Sequence, residues 1–423
     1  MIIKILKNPI TLFVSIILGI FVGIFFKESS KSLSIISDIY VNFLQMCILP
    51  IVACIIAINF SKISKGKSKK IIKKWIILVF VSFLVAALIS ILSSIFLKKF
   101  LEPSPDTKLA FSEIDGDKTV NSKFTELKFY SNNEIDETDN FSLYTFLINT
   151  IPNNIFSALS NGDVVGAICF FSILGIMLSK VKTKVSSNLL EIFDVIYNSL
   201  NKFVTIILNF SPISIFCVLA VQFSDPNKVT LIKSLIKLII VMHLIFFTMI
   251  VISFIIIQKK INLTIKEHLS AISHTFFISI ATRSCMASIP TAIEDAKKKL
   301  KLDETISNFT LPIGITMFQS GGIISAILAT TYTCMIYDVP LGFNVIFGTI
   351  LGSILYAFSF IGAPSIVAAS MLSGVLGPLG LPSDIISAAW VSVLSISDPF
   401  LTFQCIYTNI AIAASLSSKA KTT

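Results

Sequence analysis

Arg283 is the only arginine in a chain of 423 residues whose other basic side chains are all lysine, and it stands inside an apolar segment. A guanidinium presents a planar fork of donors and stays charged, so it suits a carboxylate or phosphate where lysine would act as a hydrated point charge. Burying it unpaired at membrane depth would cost at least about 2.5–3.5 kcal/mol, so a partner is expected. Two kinds fit: an anionic ligand, or a fixed acid such as Asp398. Asp398 is the second charge in apolar surroundings, within Leu394-Ser-Ile-Ser-Asp-Pro-Phe400. Pro399 removes a backbone donor one residue later, which predicts local irregularity there. Downstream, Thr402, Cys405 and Asn409 recur at i, i+3 and i+7 and share one helix face, with Gln404 and Thr408 beside them. A polar stripe of this kind lines a cavity or bonds a neighbouring helix.

Other chemistries find little support. The histidines at 243, 268 and 274 share no metal-ligand spacing with a carboxylate. The cysteines at 47, 54, 169, 217, 285, 334 and 405 form no CxxC pair, so neither a zinc site nor a disulfide framework is expected. No nucleophile and base, and no pair of catalytic acids, stand together within the apolar segments, so the chain does not read as an enzyme. The lysines occupy short loops between apolar runs rather than a soluble domain, which argues against a nucleic-acid partner. No cofactor motif is present.

The elements that carry these residues are membrane helices. Hydrophobic residues make up 54% of the chain and charged residues 14%, and the mean hydropathy is +0.87. These values place the chain among all-α polytopic membrane proteins with a lipid bilayer as partner. The first run, Pro9–Phe26, would make a helix of about 27 Å, enough to span. It follows Lys4 and Lys7 as a signal peptide would, but ends without an Ala-x-Ala site. Leu33–Phe60 and Trp75–Leu97 follow, with seven lysines between Ser61 and Lys74. By the positive-inside rule that loop and the N-terminus are cytoplasmic; the C-terminus is expected on the same side, and the membrane to be the inner one. The segment Lys98–Asn140, with six Lys and ten acids, then lies outside. Further runs cover 141–181, 188–224 and 229–258; the first is interrupted at Ile151-Pro-Asn-Asn and Asn161-Gly-Asp. Residues 186–204 have the spacing of an amphipathic helix. Four regions result: residues 1–97 with three membrane helices, an outer polar loop over 98–140, helices four to six over 141–260, and a core over 261–423.

That last region is broken where smooth helices should not be. Ala281-Thr-Arg-Ser-Cys-Met-Ala-Ser-Ile-Pro290 and Phe358-Ser-Phe-Ile-Gly-Ala-Pro-Ser365 lie about eighty residues apart, and a third break falls at Thr316-Met-Phe-Gln-Ser-Gly-Gly322. Irregular backbone at membrane depth is tolerated where protein buries it or an aqueous cavity meets it. Paired interruptions at corresponding positions mark discontinuous helices around the central site of a transporter; proline kinks are the plainer alternative. Carbonyls freed at the third break suit a cation that prefers oxygen ligands.

The order of Ile151-Pro-Asn-Asn-Ile-Phe-Ser-Ala-Leu, Ser211-Pro-Ile-Ser-Ile-Phe, Thr282-Arg-Ser-Cys-Met-Ala-Ser-Ile-Pro, Asn308-Phe-Thr-Leu-Pro-Ile-Gly and Gly362-Ala-Pro-Ser resembles the dicarboxylate/amino acid:cation symporter family, the glutamate and aspartate transporters. The resemblance spans nearly the whole chain. It implies eight transmembrane helices, two re-entrant helical hairpins, a homotrimer and elevator-type alternating access. It implies substrate contacts at Arg283, Ser284, Cys285, Gly322, Ala363, Val367, Thr402, Cys405 and Asn409. Coupling-cation positions fall on Gly314, Thr316, Gln319, Ser320, Ala357, Phe360 and Asn409, and a gate on Gly362, Pro364 and Ser365; Asp398, read from the residues themselves, is the candidate carrier if the coupling ion is H⁺.

Several family positions have changed. The Asp for a substrate amino group falls on Thr402, the Arg for a side-chain carboxylate on Cys405, and the two cation-site acids on Ser320 and Ala413. The implied function is a symporter of a small organic anion or amino acid, driven by Na⁺ or H⁺, with Arg283 as the anionic handle. An uncoupled channel-like or substrate-sensing protein on the same scaffold is the alternative.

Overall fold

The structure is a computed structural model that describes residues 9–65, 69–105, 107–108, 151–160, 164–181, 183–208, 210–224, 226–360, 368–369 and 371–417. Its described residues contain helices and no strands. The longer helices are α1 (Pro9–Phe25), α2 (Ser34–Lys65), α3 (Lys69–Phe96), α4 (Val164–Lys180), α5 (Lys184–Leu208), α6 (Ser211–Ser224) and α7 (Pro226–Gln258). They continue with α8 (Ile265–Thr282), α9 (Cys285–Glu294), α10 (Glu304–Met317), α11 (Ser320–Ile336), α12 (Phe343–Ser359) and α13 (Asp384–Leu416). Ile71–Phe96, Leu235–Gln258, Glu304–Ile336 and Ile396–Leu416 are each long and apolar enough to cross a membrane.

The apolar runs locate the helices, but the lysine-rich segment is shorter than expected. α2 runs on to Lys65 and α3 starts at Lys69, because lysine is a good helix former and the helices continue past their apolar stretches. Pro399, where the missing donor predicts local irregularity, lies inside α13, which runs through it as one helix of 33 residues. Pro290, expected within a break, lies inside α9, and the break itself falls at Arg283 and Ser284. The run 188–224 is divided between α5 and α6, just ahead of Ser211-Pro212.

Helix packing falls into two sets. α1 packs on α6, and α2 packs on α4, α5 and α6. In the second set α13 runs along α7, α11 lies between α3 and α12, and α8 and α9 pack on each other and on α13. Every residue of α11 is buried, whereas α3 and α7 turn faces such as Leu84, Leu88, Leu244 and Phe247 outward. Thus α11, which follows the break at Phe318 and Gln319, lies in the interior with α3, α7 and α12 against it. An apolar cluster containing Ile51–Ile58 of α2 with Trp75, Phe83 and Ile323–Ala329 joins the two sets.

Local chemistry explains where the site-bearing helices start. Thr264 and Glu267 form a capping box at α8: the Glu267 amide donates to Thr264 Oγ1 (3.3 Å), and Glu267 Oε2 accepts from the Thr264 amide (2.8 Å). Asp303 caps α10 by accepting from the Ile306 amide at 2.9 Å. Between α9 and α10 the chain makes one π-helical turn, Asp295–Lys299.

Candidate functional site

The site is assembled from the tip of the α8–α9 hairpin, the break between α10 and α11, and the polar face of α13. At the tip, Arg283 ends α8 in the left-handed conformation with φ 51°, and Ser284 is extended. The reversal lets Ser284 cap α9: its Oγ accepts from the Ala287 amide at 3.3 Å. Arg283, Ser284 and Cys285 are all partly exposed at this turn. The stretch singled out from sequence as the first tip therefore is the turn.

Asp295 fixes the hairpin's two arms. Its fully buried Oδ2 accepts from the Thr275 amide (3.0 Å) and from Thr275 Oγ1 (2.7 Å), while Lys299 Nζ lies 2.7 Å from Oδ1. Two turns earlier on α8, His268 Nδ1 meets Gln258 Oε1 at 2.8 Å and Nε2 meets Tyr407 OH at 3.0 Å, tying α8 to α7 and α13.

Between α10 and α11, Phe318 and Gln319 leave the helical conformation. Gln319 bridges three elements, with Nε2 donating to the Phe360 carbonyl at the end of α12 (3.2 Å) and Oε1 3.8 Å from Cys285 Sγ. Gly322 lies where a Cβ would stand 3.0 Å from Ala357 Cα and 2.9 Å from the Phe360 ring. Gly322, Gln319, Ala357 and Phe360 are thus brought together.

The face of α13 closes the cluster. Thr402 Oγ1 donates to Asp398 Oδ1 at 3.5 Å, one turn away. Cys405 Sγ accepts from the Gly321 amide at 3.2 Å, so the first turn of α11 points an N–H at α13. Gln404, fully buried, donates through Nε2 to Ser320 Oγ and Thr408 Oγ1, both at 3.0 Å. Asn409 Nδ2 donates to the carbonyls of Phe318 (3.2 Å) and Cys405 (2.9 Å). Its Oδ1 is buried without a hydrogen-bond partner and lies 2.3 Å from where a Cβ on Gly314 would stand, so only glycine admits the amide there. The i, i+3, i+7 stripe therefore faces the α10–α11 break.

Thr316 also joins this region, but through a residue that the sequence reading did not single out: Asn59 of α2 donates to its Oγ1 at 3.1 Å. Ser253 of α7, 3.3 Å from Thr408 Oγ1, was likewise not anticipated, nor was Asp295, although an acid directly after an apolar helix was a visible signal. The gate positions Gly362, Pro364 and Ser365, and the substrate positions Ala363 and Val367, lie outside the described residues. Ala413 is buried on α13 and offers no side-chain ligand. Among the described residues no group of three His, Cys, Asp or Glu side chains could hold a metal ion.

Comparison with known proteins agrees with this architecture. The chain is 23% identical over 379 residues to the proton/sodium-glutamate symport protein of Bacillus caldotenax, covering 88% of this chain and 85% of that protein. It is 21% identical over 382 residues to the proton/glutamate-aspartate symporter of Escherichia coli K12, covering 87% and 83%. It is 23% identical over 379 residues to the C4-dicarboxylate transport protein of Bacillus subtilis 168, covering 88% and 85%. The profile of the sodium:dicarboxylate symporter family matches residues 9–419, and the chain belongs to that family.

Proposed function

We propose that the protein is a secondary transporter of a small organic anion or amino acid, with the substrate held between the α8–α9 tip and the polar face of α13. The observation that carries this reading is that the α8–α9 tip, through Cys285, meets the α10–α11 break, which Cys405 and Asn409 of α13 meet from the other helix, with Thr402 one turn before Cys405. Arg283 supplies charge and a planar donor fork, and the start of α9 adds amides and the positive end of a helix dipole. Thr402 and Cys405 shape the rest of the pocket. Family membership and the names of the relatives support a substrate in the glutamate, aspartate or C4-dicarboxylate class.

Na⁺ or H⁺ supplies the driving force. The buried, unpartnered Asn409 Oδ1 is an oxygen ligand suited to Na⁺, and Asp398 is the proton-carrier candidate. The second helix set, from α3 and α7 inward, acts as the moving core of a trimeric elevator, and α8–α9 acts as a re-entrant hairpin.

The test is uptake into proteoliposomes of labelled glutamate, aspartate, a C4-dicarboxylate and a neutral amino acid, under separate Na⁺ and H⁺ gradients. Concentrative uptake under one gradient, abolished by Arg283→Ala, is the expected result. Passive currents with no response to either gradient would instead establish the channel-like reading, which the replacement of acids at Ser320 and Ala413 favours.

A further inference from the structure

We infer that the side-chain amide of Gln404 is a built-in occupant of a polar chamber in the place of a bound alkali ion, its Nε2 donating to the hydroxyl oxygens of Ser320 and Thr408, with Ser253 behind Thr408. This rests on the transport reading for its consequence, which is that one coupling position needs no ion.

The proton inventory fixes the amide's orientation. Ser253 Oγ donates its single hydrogen to the Met249 carbonyl at 2.8 Å, so toward Thr408 it can only accept. Thr408 Oγ1 therefore donates to Ser253 across 3.3 Å and has a lone pair left for Gln404 Nε2 at 3.0 Å. The second Nε2 hydrogen goes to Ser320 Oγ at 3.0 Å, and Oε1 accepts from Cys405 Sγ at 3.6 Å. Every hydrogen on the NH₂ group is spent on a hydroxyl oxygen.

Those hydroxyls come from three elements: Ser253 from α7, Ser320 from the start of α11, and Thr408 from α13. All three residues are nearly inaccessible to solvent, with relative exposures of 2%, 1% and 5%. Uncharged oxygens converging from separate helices are the ligand type a hard monovalent cation takes. Here the partial positive charge comes from the protein, so the chamber is satisfied and neutral. A metal ion could enter only by displacing the amide and leaving its two N–H groups unpaired, a cost that opposes binding. Asn409 Oδ1, by contrast, is an acceptor whose valence is open, so this arrangement removes one ion position and leaves another.

The experiment follows the thermal midpoint of the purified full-length protein against NaCl, KCl and choline chloride, in wild type, Gln404→Glu, Gln404→Ala and Gln404→Met. Glu adds the charge and Ala opens the chamber; both are expected to gain an alkali-ion-specific rise of about 2–4 °C between low and 100 mM salt beyond any wild-type response. Met fills the chamber without donors and should gain none. An unchanged salt response in both Glu and Ala variants overturns the inference, as does an equal gain in Met. Because stability is the readout, the answer does not depend on finding a transported substrate. Failure of uptake alone would count against the transport reading and leave the chamber standing.

Discussion

Asn59 donates a hydrogen bond of 3.1 Å to Thr316 although 257 residues separate them, and the bond joins α2 to the broken α10–α11 segment. Both side chains are buried, so the bond forms without competing solvent. Asn59→Ala should lower stability by about 0.5–1.5 kcal/mol. Thr316→Val should cost a similar amount, and the double variant little more, since one interaction is being removed twice. Thermal unfolding of the four proteins measures this, and fully additive losses would show that the bond contributes nothing.

Arg283 serves the tip in two separable ways. A non-glycine residue at φ 51° carries a steric cost, so Arg283→Gly should leave the hairpin about 1 kcal/mol more stable than Arg283→Ala. Both variants should lose uptake, because neither carries a guanidinium. Transport retained in the glycine variant would show that only the turn, and not the charge, is needed.

Ser284 separates capping from charge at the same tip. Ser284→Ala removes the acceptor for the Ala287 amide and should cost about 0.5–2 kcal/mol. Ser284→Asp keeps a cap and a stable fold, yet sets a carboxylate beside Arg283. Substrate affinity should fall at least tenfold in the aspartate variant at near wild-type stability. Equal affinity would place the substrate elsewhere.

The start of α8 should respond to acid. Hydrogen bonds from the Thr264 backbone and side chain hold the Glu267 carboxyl below its ordinary value of 4.5. A depressed carboxylate stabilises the fold above its unfolded-state pKa, and the contribution is lost as pH falls through the lower folded value. Amide protection near Thr264 and His268, taken as exchange relative to the unstructured chain at the same pH, should therefore fall below about pH 4.5 in wild type. Glu267→Gln can keep an acceptor at every pH and should flatten the profile, whereas Glu267→Ala should exchange fast throughout. A wild-type profile as flat as that of the Gln variant would remove the cap from this account.

Much of the architecture is legible along the chain because bilayer-spanning helices advertise themselves by composition. The runs beginning at Pro9, Leu33 and Trp75 lie on α1, α2 and α3, with ends displaced where lysines extend the helices. The first hairpin tip could also be read, since polar residues and a lone arginine have no reason to interrupt an apolar segment unless the backbone turns there. The polar face of α13 followed from a spacing of three and four residues. Sequence could not tell that Pro399 would be taken into one continuous helix, because the packing that holds α13 comes from neighbours in space.

The sequence by itself determined a family, a helical membrane architecture and the residue types available at the centre. Tertiary structure alone decided which of them meet. Gln404 and Ser320 are 84 residues apart, and nothing in their local spacing announces that the amide will take a hydroxyl of another helix as acceptor. The same holds for Asn59 with Thr316 and for Asp295 with Thr275. Hydropathy acts over a few turns of one helix and is written locally, whereas the satisfaction of buried polar groups is settled among several elements at once, after they pack.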